Sequence, residues 1–429
     1  MITHYNIITR AALIICMIFA ANFTTHAQED ISDDEVVTDS LLNDTLTTSQ
    51  HALPWTEQVR THINRLLASD MFSTSQVGIM VYDLDADSTI YAHNERQLMR
   101  PASTMKVITA ITAIDKLGGS YRFKTELCYT GEVSNGTLNG NVYCVGGFDP
   151  RFNIDDMRAF VEGIRKMGVD TIRGNIYADK TMKSADTLGC GWCWDDDNPT
   201  LSPLLLSRKD QFLPKFYSEL REAGIYLTGS LGEKRKPEES NCIVRRFHTI
   251  DQVLMRMLKE SDNLYAESMF YQIAASTGNR PATSKSARSV IQQLVNKVGL
   301  NGSRYKFADG SGLSLYNYVS AELEVKMLRY AFHDQNIYNH LLPALPIAGT
   351  DGTLRKRMTG AFTRGTPAVD APPPPATTSS RRSVFRRSMF RRRYFRANAP
   401  KARCALCQEV IVRESVRATC RECDMVVQL

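Results

Sequence analysis

The chain has 429 residues, of which 43% are hydrophobic, 9% aromatic and 23% charged. That composition excludes a wholly disordered or fibrous protein and suits packed domains. The net charge of +6 is uneven: residues 376–429 hold 13 basic and 4 acidic residues, a net +9, which leaves residues 1–375 at −3, so the basic balance comes from the tail and no nucleic-acid partner is expected.

At the N-terminus Arg10 precedes an apolar run of 11 residues, Ala11 to Ala21. The run is too short to span a bilayer but matches the core of an export signal, and Thr25-His26-Ala27 offers a small-residue cleavage site. Residues 1–27 therefore read as a signal peptide, and residues 28–53, acidic and rich in Ser and Thr, as a polar linker. No later segment is long enough to cross a membrane. The mature chain is expected in a periplasm or cell envelope, with no transmembrane anchor once the signal is removed.

Pro54 to Phe72 begins as an amphipathic helix, and Gln76 to Asp83 with Thr89 to Asn94 reads as a hairpin. Ser103-Thr104-Met105-Lys106 follows, just before an apolar helical run, Val107 to Leu117, that Gly118-Gly119 stops. Residues three apart on a helix share a face, with Cβ atoms about 5–6 Å apart, so the Lys106 amine can reach the Ser103 hydroxyl. A lysine in a partly desolvated cleft can lose its proton near neutral pH, and a serine attacks only when a base takes its own. Ser103 is thus a candidate nucleophile and Lys106 its candidate base, at a helix start whose free N–H groups suit a developing oxyanion. Such a pair also arises by chance about once or twice in a chain this long, and Ser103 has a plainer reading as an N-cap.

Residues 125–245 alternate short strand-like runs with turns and read as a separate strand-rich module. It holds Cys128, Cys144, Cys190, Cys193 and Cys242, an odd number that leaves at least one thiol unpaired in a monomer. Cys128 and Cys144 flank the Asn- and Gly-rich connection Ser134 to Asn141, which allows a bridge across a hairpin. Cys190-x-x-Cys193, beside Trp192 and Trp194, reads as structural rather than redox-active. Helices return beyond His248. Ser261-Asp262-Asn263 precedes an amphipathic run, Leu264 to Ala274, where Ser261 could relay a proton and Asn263 could hold a substrate amide; an N-cap is the alternative. Asp309-Gly310-Ser311-Gly312 suggests a tight turn beside a cleft, or a surface loop, and Ala321 to Phe332 a further helix.

Together these segments resemble the penicillin-binding protein 4-type D-alanyl-D-alanine carboxypeptidases and endopeptidases, low-molecular-mass enzymes of peptidoglycan trimming. The resemblance rests on ASTMK (102–106), GGFDP (146–150), WDD (194–196), SDN (261–263), ADGSGLSLYN (308–317) and LPIAGTDGTLRKRMTG (345–360), and covers residues 55–365. The 158 positions between Ser103 and Ser261 favour this family over a compact β-lactamase. It implies a serine β-lactamase/penicillin-binding transpeptidase-like α/β fold, helices on an antiparallel sheet. The catalytic domain would be split, 54–124 and 246–365, by the module 125–245. It implies Ser103 as the acylated nucleophile, Lys106 as general base, Ser261 as proton relay and Asn263 as a ligand for the substrate's peptide amide. The implied substrates are D-Ala-D-Ala ends or D-Ala cross-links of peptidoglycan stem peptides, with β-lactams acylating the same serine. No metal or organic cofactor is implied.

The family pattern also demands Lys-Thr-Gly on the strand that borders the cleft, shortly after residue 360, and this sequence has none. Arg357-Met358-Thr359-Gly360 lacks the lysine two places before its glycine. Residues 366–429 change character: Pro372 to Pro375, nine arginines from Arg381 to Arg403 without a period, then Cys404-x-x-Cys407 and Cys420-x-x-Cys423. They read as translation out of frame from near residue 365, as a disordered tail, or as paired zinc knuckles. On the first reading the terminal sheet strands are missing and activity is impaired. A catalytically inactive peptidoglycan-binding remnant and a zinc-ribbon binding protein are the competing functions.

Overall fold

The computed structural model describes residues 13–21, 53–193, 198–357, 359–360 and 364–365; the WDD segment, the tail and its cysteine pairs lie outside them. In chain order the elements are β1 (Leu13–Ala21), α1 (Trp55–Leu67), α2 (Asp70–Ser73), β2 (Ser75–Asp83), β3 (Ser88–His93), a 3-10 turn (Ala102–Thr104), α3 (Met105–Leu117), β4 (Arg122–Tyr129), β5 (Glu132–Ser134), β6 (Thr137–Asn139) and β7 (Val142–Val145). Then follow α4 (Ile154–Lys166), β8 (Thr171–Arg173), β9 (Ile176–Asp179), α5 (Phe212–Glu222), β10 (Tyr226–Leu227), β11 (Leu231–Glu233), β12 (Asn241–Thr249), α6 (Ile250–Lys259), α7 (Asn263–Ala275), α8 (Ser284–Lys297), α9 (Ala321–His333) and α10 (Gln335–Leu341). No helix among the described residues is long and apolar enough to cross a membrane.

The N-terminal part forms as its patterns require. Val59, Ile63 and Leu66, at helical spacing on α1, pack on Ile79, Val81 and Ile90 of the β2–β3 hairpin. β1 pairs antiparallel along the other edge of β2, from Leu13 opposite Asp83 to Ala21 opposite Ser75. The run read from sequence as a signal core is thus a strand here. An apolar stretch of this length suits either role, and what a strand gains is the hydrogen bonding of an otherwise open sheet edge.

A second core gathers around α3, whose Met105, Ile108, Ile111 and Ile114 are fully buried, together with residues of α6, α7, α8 and α9. Every residue of α7 from Leu264 to Ala274 is buried, so the run read as amphipathic is a core helix. The helix that follows the candidate serine and the one that starts with Asn263 are therefore packed rigidly against each other.

The module carries two helices, α4 and α5, beside its many short strands. Phe152, Phe160, Phe212 and Phe216 from this region interleave over its sheet, with ring centroids 5.1–6.3 Å apart. That sheet has the order β11-β9-β7-β4-β12, and a smaller one the order β10-β8-β6-β5. Strands β4 and β12 make an antiparallel stem from Arg122 opposite Thr249 to Asn241 opposite Tyr129, by which the chain leaves and re-enters the helical core. β12 runs directly into α6, capped by Thr249, whose hydroxyl accepts from Gln252 N. The GGFDP segment docks on α7: Ser268 Oγ donates to Phe148 O at 2.5 Å and Gln272 Nε2 to Gly147 O.

One expectation from cysteine spacing fails. The register sets Leu127 opposite Cys144 and Cys128 opposite Tyr143. Adjacent residues of a strand point to opposite faces, so Cys128 and Cys144 lie on different sides of the sheet and cannot be bridged.

Candidate active site

Pro101 and Ala102 deliver Ser103 to the start of α3. Ala102 has φ +47°, a left-handed conformation costly for a residue with a Cβ and concentrated at functional sites. Ser103 is not a cap: Thr104 holds the N-cap position of α3, without a side-chain cap bond. Lys106, one turn on, is only 1% exposed. Its Nζ donates to Ser103 Oγ at 3.2 Å, to Asn263 Oδ1 at 2.8 Å and to the carbonyl oxygen of Ser311 at 2.8 Å. An amine whose two hydrogens rest on two carbonyl oxygens turns its remaining position toward Ser103, and in the neutral form that position is a lone pair.

Asn263 is the first residue of α7. Its approach is set by Asp262, the N-cap, which accepts from Leu264 N at 3.1 Å and from Arg256 Nε at 2.8 Å and also pairs with Arg208. Ser261 precedes it in a left-handed turn, φ +53°. Among the described residues the hydrogen bonds join Ser103, Lys106 and Asn263; none joins Ser261 to Ser103 or Lys106.

The third acceptor comes from the turn Asp309 to Gly312. Gly312 has φ +82°, and a Cβ there would lie 1.6 Å from the Ala102 carbonyl oxygen, so only glycine lets the turn approach Ser103. Two buried carboxyl groups hold it. Glu267 Oε1, from α7, accepts from Gly310 N at 3.0 Å and Ser311 N at 2.9 Å. Asp309 Oδ1 accepts from Gly312 N at 2.8 Å and Asn317 Nδ2 at 2.7 Å, while its Oδ2 accepts from Ser314 N at 2.7 Å and Trp192 Nε1 at 2.8 Å. The Ser311–Gly312 peptide thus donates to Asp309 and accepts from Lys106, and each bond polarises the next. Thr109 Oγ1 ties the same turn to α3 through Gly310 O at 2.7 Å.

Burial, reinforced by the charge of Asp309, pushes the carboxyl of Glu267 up to about 8, against the pull of the N–H groups it accepts. Glu267 therefore carries a proton at neutral pH. Sequence reasoning missed it, although a lone acid in the apolar run LYAESMFYQIA was a usable signal. It also missed Glu324, 5% exposed on α9, which accepts from Thr104 Oγ1 at 2.5 Å beside the start of α3. In the Cys190–Cys193 motif both thiols are exposed, and the buried Trp192 is the residue that reaches the site.

Fold and cluster together define a penicillin-binding transpeptidase-like domain. The profile of the D-Ala-D-Ala carboxypeptidase 3 (S13) family matches residues 59–205 and 206–370, and the chain belongs to this family of serine-type peptidases. It is 24% identical over 366 residues to the D-alanyl-D-alanine carboxypeptidase DacB of Haemophilus influenzae, covering 66% of this chain and 76% of that protein. To the D-alanyl-D-alanine carboxypeptidase of Actinomadura sp. it is 24% identical over 405 residues, covering 72% and 75%. The crystal structure of penicillin binding protein 4 from Haemophilus influenzae superposes with a TM-score of 0.63 at 22% identity, over 67% of this chain and 82% of that one.

The raised Glu267 gives a stability signature. Its folded value near 8 exceeds the ordinary 4.5, so its contribution is fully present below about pH 4.5 and is lost as pH rises toward 8. Glu267→Gln keeps a carbonyl oxygen for both N–H donors and cannot ionise. Thermal unfolding should show the variant losing less stability than the wild type between about pH 5 and pH 8. Parallel pH profiles would refute a buried, titrating Glu267.

Proposed function

We propose that the chain is built as a serine acyl-transferase that hydrolyses the D-Ala-D-Ala end, or a D-Ala cross-link, of peptidoglycan stem peptides. The observation that carries this reading is the Lys106 amine, held by Asn263 and Ser311 and 3.2 Å from Ser103 Oγ. Neutral Lys106 takes the proton as Ser103 Oγ attacks the peptide carbonyl. The positive end of the α3 dipole lies at Ser103 and suits the developing oxyanion. Ser261 passes a proton toward the leaving amine. With Oδ1 engaged by Lys106, Asn263 offers its Nδ2 donors to the substrate's peptide carbonyl. Water then releases the acyl group. A β-lactam would acylate Ser103 by the same route; a penicillin binding protein 4 structure from Haemophilus influenzae was solved in complex with one, and this chain superposes on it with a TM-score of 0.59.

In this reading the catalytic domain comprises residues 54–124 and 246–365, with 125–245 inserted. Ala11 to Ala21 directs export to the periplasm or envelope, with cleavage after Ala27. Activity is impaired, because Lys-Thr-Gly is absent: the resemblance assigns its lysine to the substrate's terminal carboxylate and its backbone to the peptide. An inactive remnant that still binds peptidoglycan is the second reading, and the missing lysine is what favours it.

Ser103→Ala should abolish any labelling by a fluorescent penicillin, and undiminished labelling would remove Ser103 from the role of nucleophile. Envelope-associated protein should begin near Gln28 by N-terminal sequencing; an intact Met1 there would count against export by cleavage. The 429-residue chain should release D-alanine from a D-Ala-D-Ala peptide far more slowly than a chain whose reading frame is restored after Gly365. Each lost polar contact of this kind is worth about 10²–10³-fold in rate. Equal rates would mean that residues 366–429 supply a working substitute.

A further inference from the structure

The stem of the module carries a pair of thiols that the acyl-transfer chemistry does not use. In the β4–β12 register Cys128 stands directly opposite Cys242. Paired residues of an antiparallel ladder have Cα atoms about 4.5–5.5 Å apart, inside the range of about 4.4–6.8 Å that a disulfide spans. Their side chains share one face of the sheet, and Cys242 is near enough to help push the Cys128 thiol up. Cys242 Sγ also lies 3.9 Å from Glu126 Oε1, a residue two before Cys128 and therefore on that same face. Cys144 is on the opposite face, opposite Leu127, and is fully buried.

We propose that Cys128 and Cys242 form a cross-strand disulfide site, closed by thiol–disulfide exchange with a disulfide oxidant, which locks the strand that runs into the helix preceding Ser261. The two thiols have unequal access. β12 is the outermost strand of its sheet and Cys242 is half-buried, whereas Cys128 is 2% exposed. Cys242 is therefore the entry point. Its sulfur displaces one thiol from the oxidant and forms a mixed disulfide; the Cys128 sulfur then attacks the Cys242 sulfur, and the second thiol leaves. Two electrons pass to the oxidant disulfide, and the two cysteine protons end on the two thiols it releases. Burial, with Cys242 alongside, pushes the Cys128 thiol up to about 12, so the second step is the slow one. The closed bond would fix Asn241–Thr249 against Arg122–Tyr129 at the end remote from α6, beside the irregularity between Cys242 and Val244. The site stands on register and accessibility alone and is independent of the proposed acyl transfer.

The test uses the full chain incubated with oxidised glutathione, then denatured, alkylated and digested for mass spectrometry. The expected product is a peptide pair joined through Cys128 and Cys242, about 2 Da lighter than the two thiol peptides and separated by dithiothreitol. Cys144 should be recovered alkylated. Oxidised wild type should unfold several degrees higher than reduced wild type, because the bond closes a long loop. Cys242→Ser should lose both the linked pair and the shift. Alkylation of both Cys128 and Cys242, a Cys128–Cys144 link, or Cys242 carrying glutathione alone at long incubation would each overturn the proposal.

Discussion

An amine buried as deeply as that of Lys106, 1% exposed, needs an acceptor for each hydrogen it keeps. That requirement organises the centre of the molecule. Ser103 Oγ is near by helical spacing, but Asn263 Oδ1 and the Ser311 carbonyl must be brought from 157 and 205 positions away. α7 is buried on every side because it must deliver Asn263 without play. The Asp309 to Gly312 turn must come so close to Ala102 that no side chain fits at Gly312. Remove either carbonyl and the amine loses an acceptor held at 2.8 Å, a loss that a strongly desolvated group offsets by moving or by drawing in water.

The turn that supplies the Ser311 carbonyl would itself be soft, a run with two glycines, were it not fastened from both sides. Glu267 takes its two leading N–H groups and Asp309 the next one. Two fully charged carboxylates so near each other in the core would repel strongly, and the proton on Glu267 relieves this. The module contributes to the same support. Trp192 donates to Asp309, and the Gly147 and Phe148 carbonyls accept from Gln272 and Ser268 of α7. The segment between Ser103 and Ser261 thus braces both the turn and the helix that position Lys106.

What was legible in the sequence follows the same physics. Ser103 and Lys106 could be paired because helix geometry converts three positions of spacing into contact. Asn263 and the Asp309 turn carried no such local rule, and only the likeness of their surroundings to a family brought them to the cleft. The helices α4 and α5 were overlooked because short strands and turns flank them on both sides. The amphipathic reading of α7 erred because residues such as Glu267, Ser268 and Gln272, polar by type, are satisfied inside the core. Cysteine spacing suggested a partner for Cys128 across its hairpin, whereas register, which spacing does not encode, faces it toward Cys242.

The edge of β2 is where the N-terminal segment joins the first sheet. Val77, Ile79 and Val81 of β2 are buried, and the strand pairs with β3 on one side and with β1 on the other. Two-stranded hairpins are marginal alone, so a third strand matters to this layer. β1 provides it from the very residues read as the core of an export signal, and a molecule cleaved after Ala27 no longer has them. Without β1 the edge of β2 that it covers would present unpaired N–H and C=O groups beside apolar side chains. Such an edge invites pairing with another chain. Residues 13–21 therefore stabilise this layer for as long as they remain on the chain.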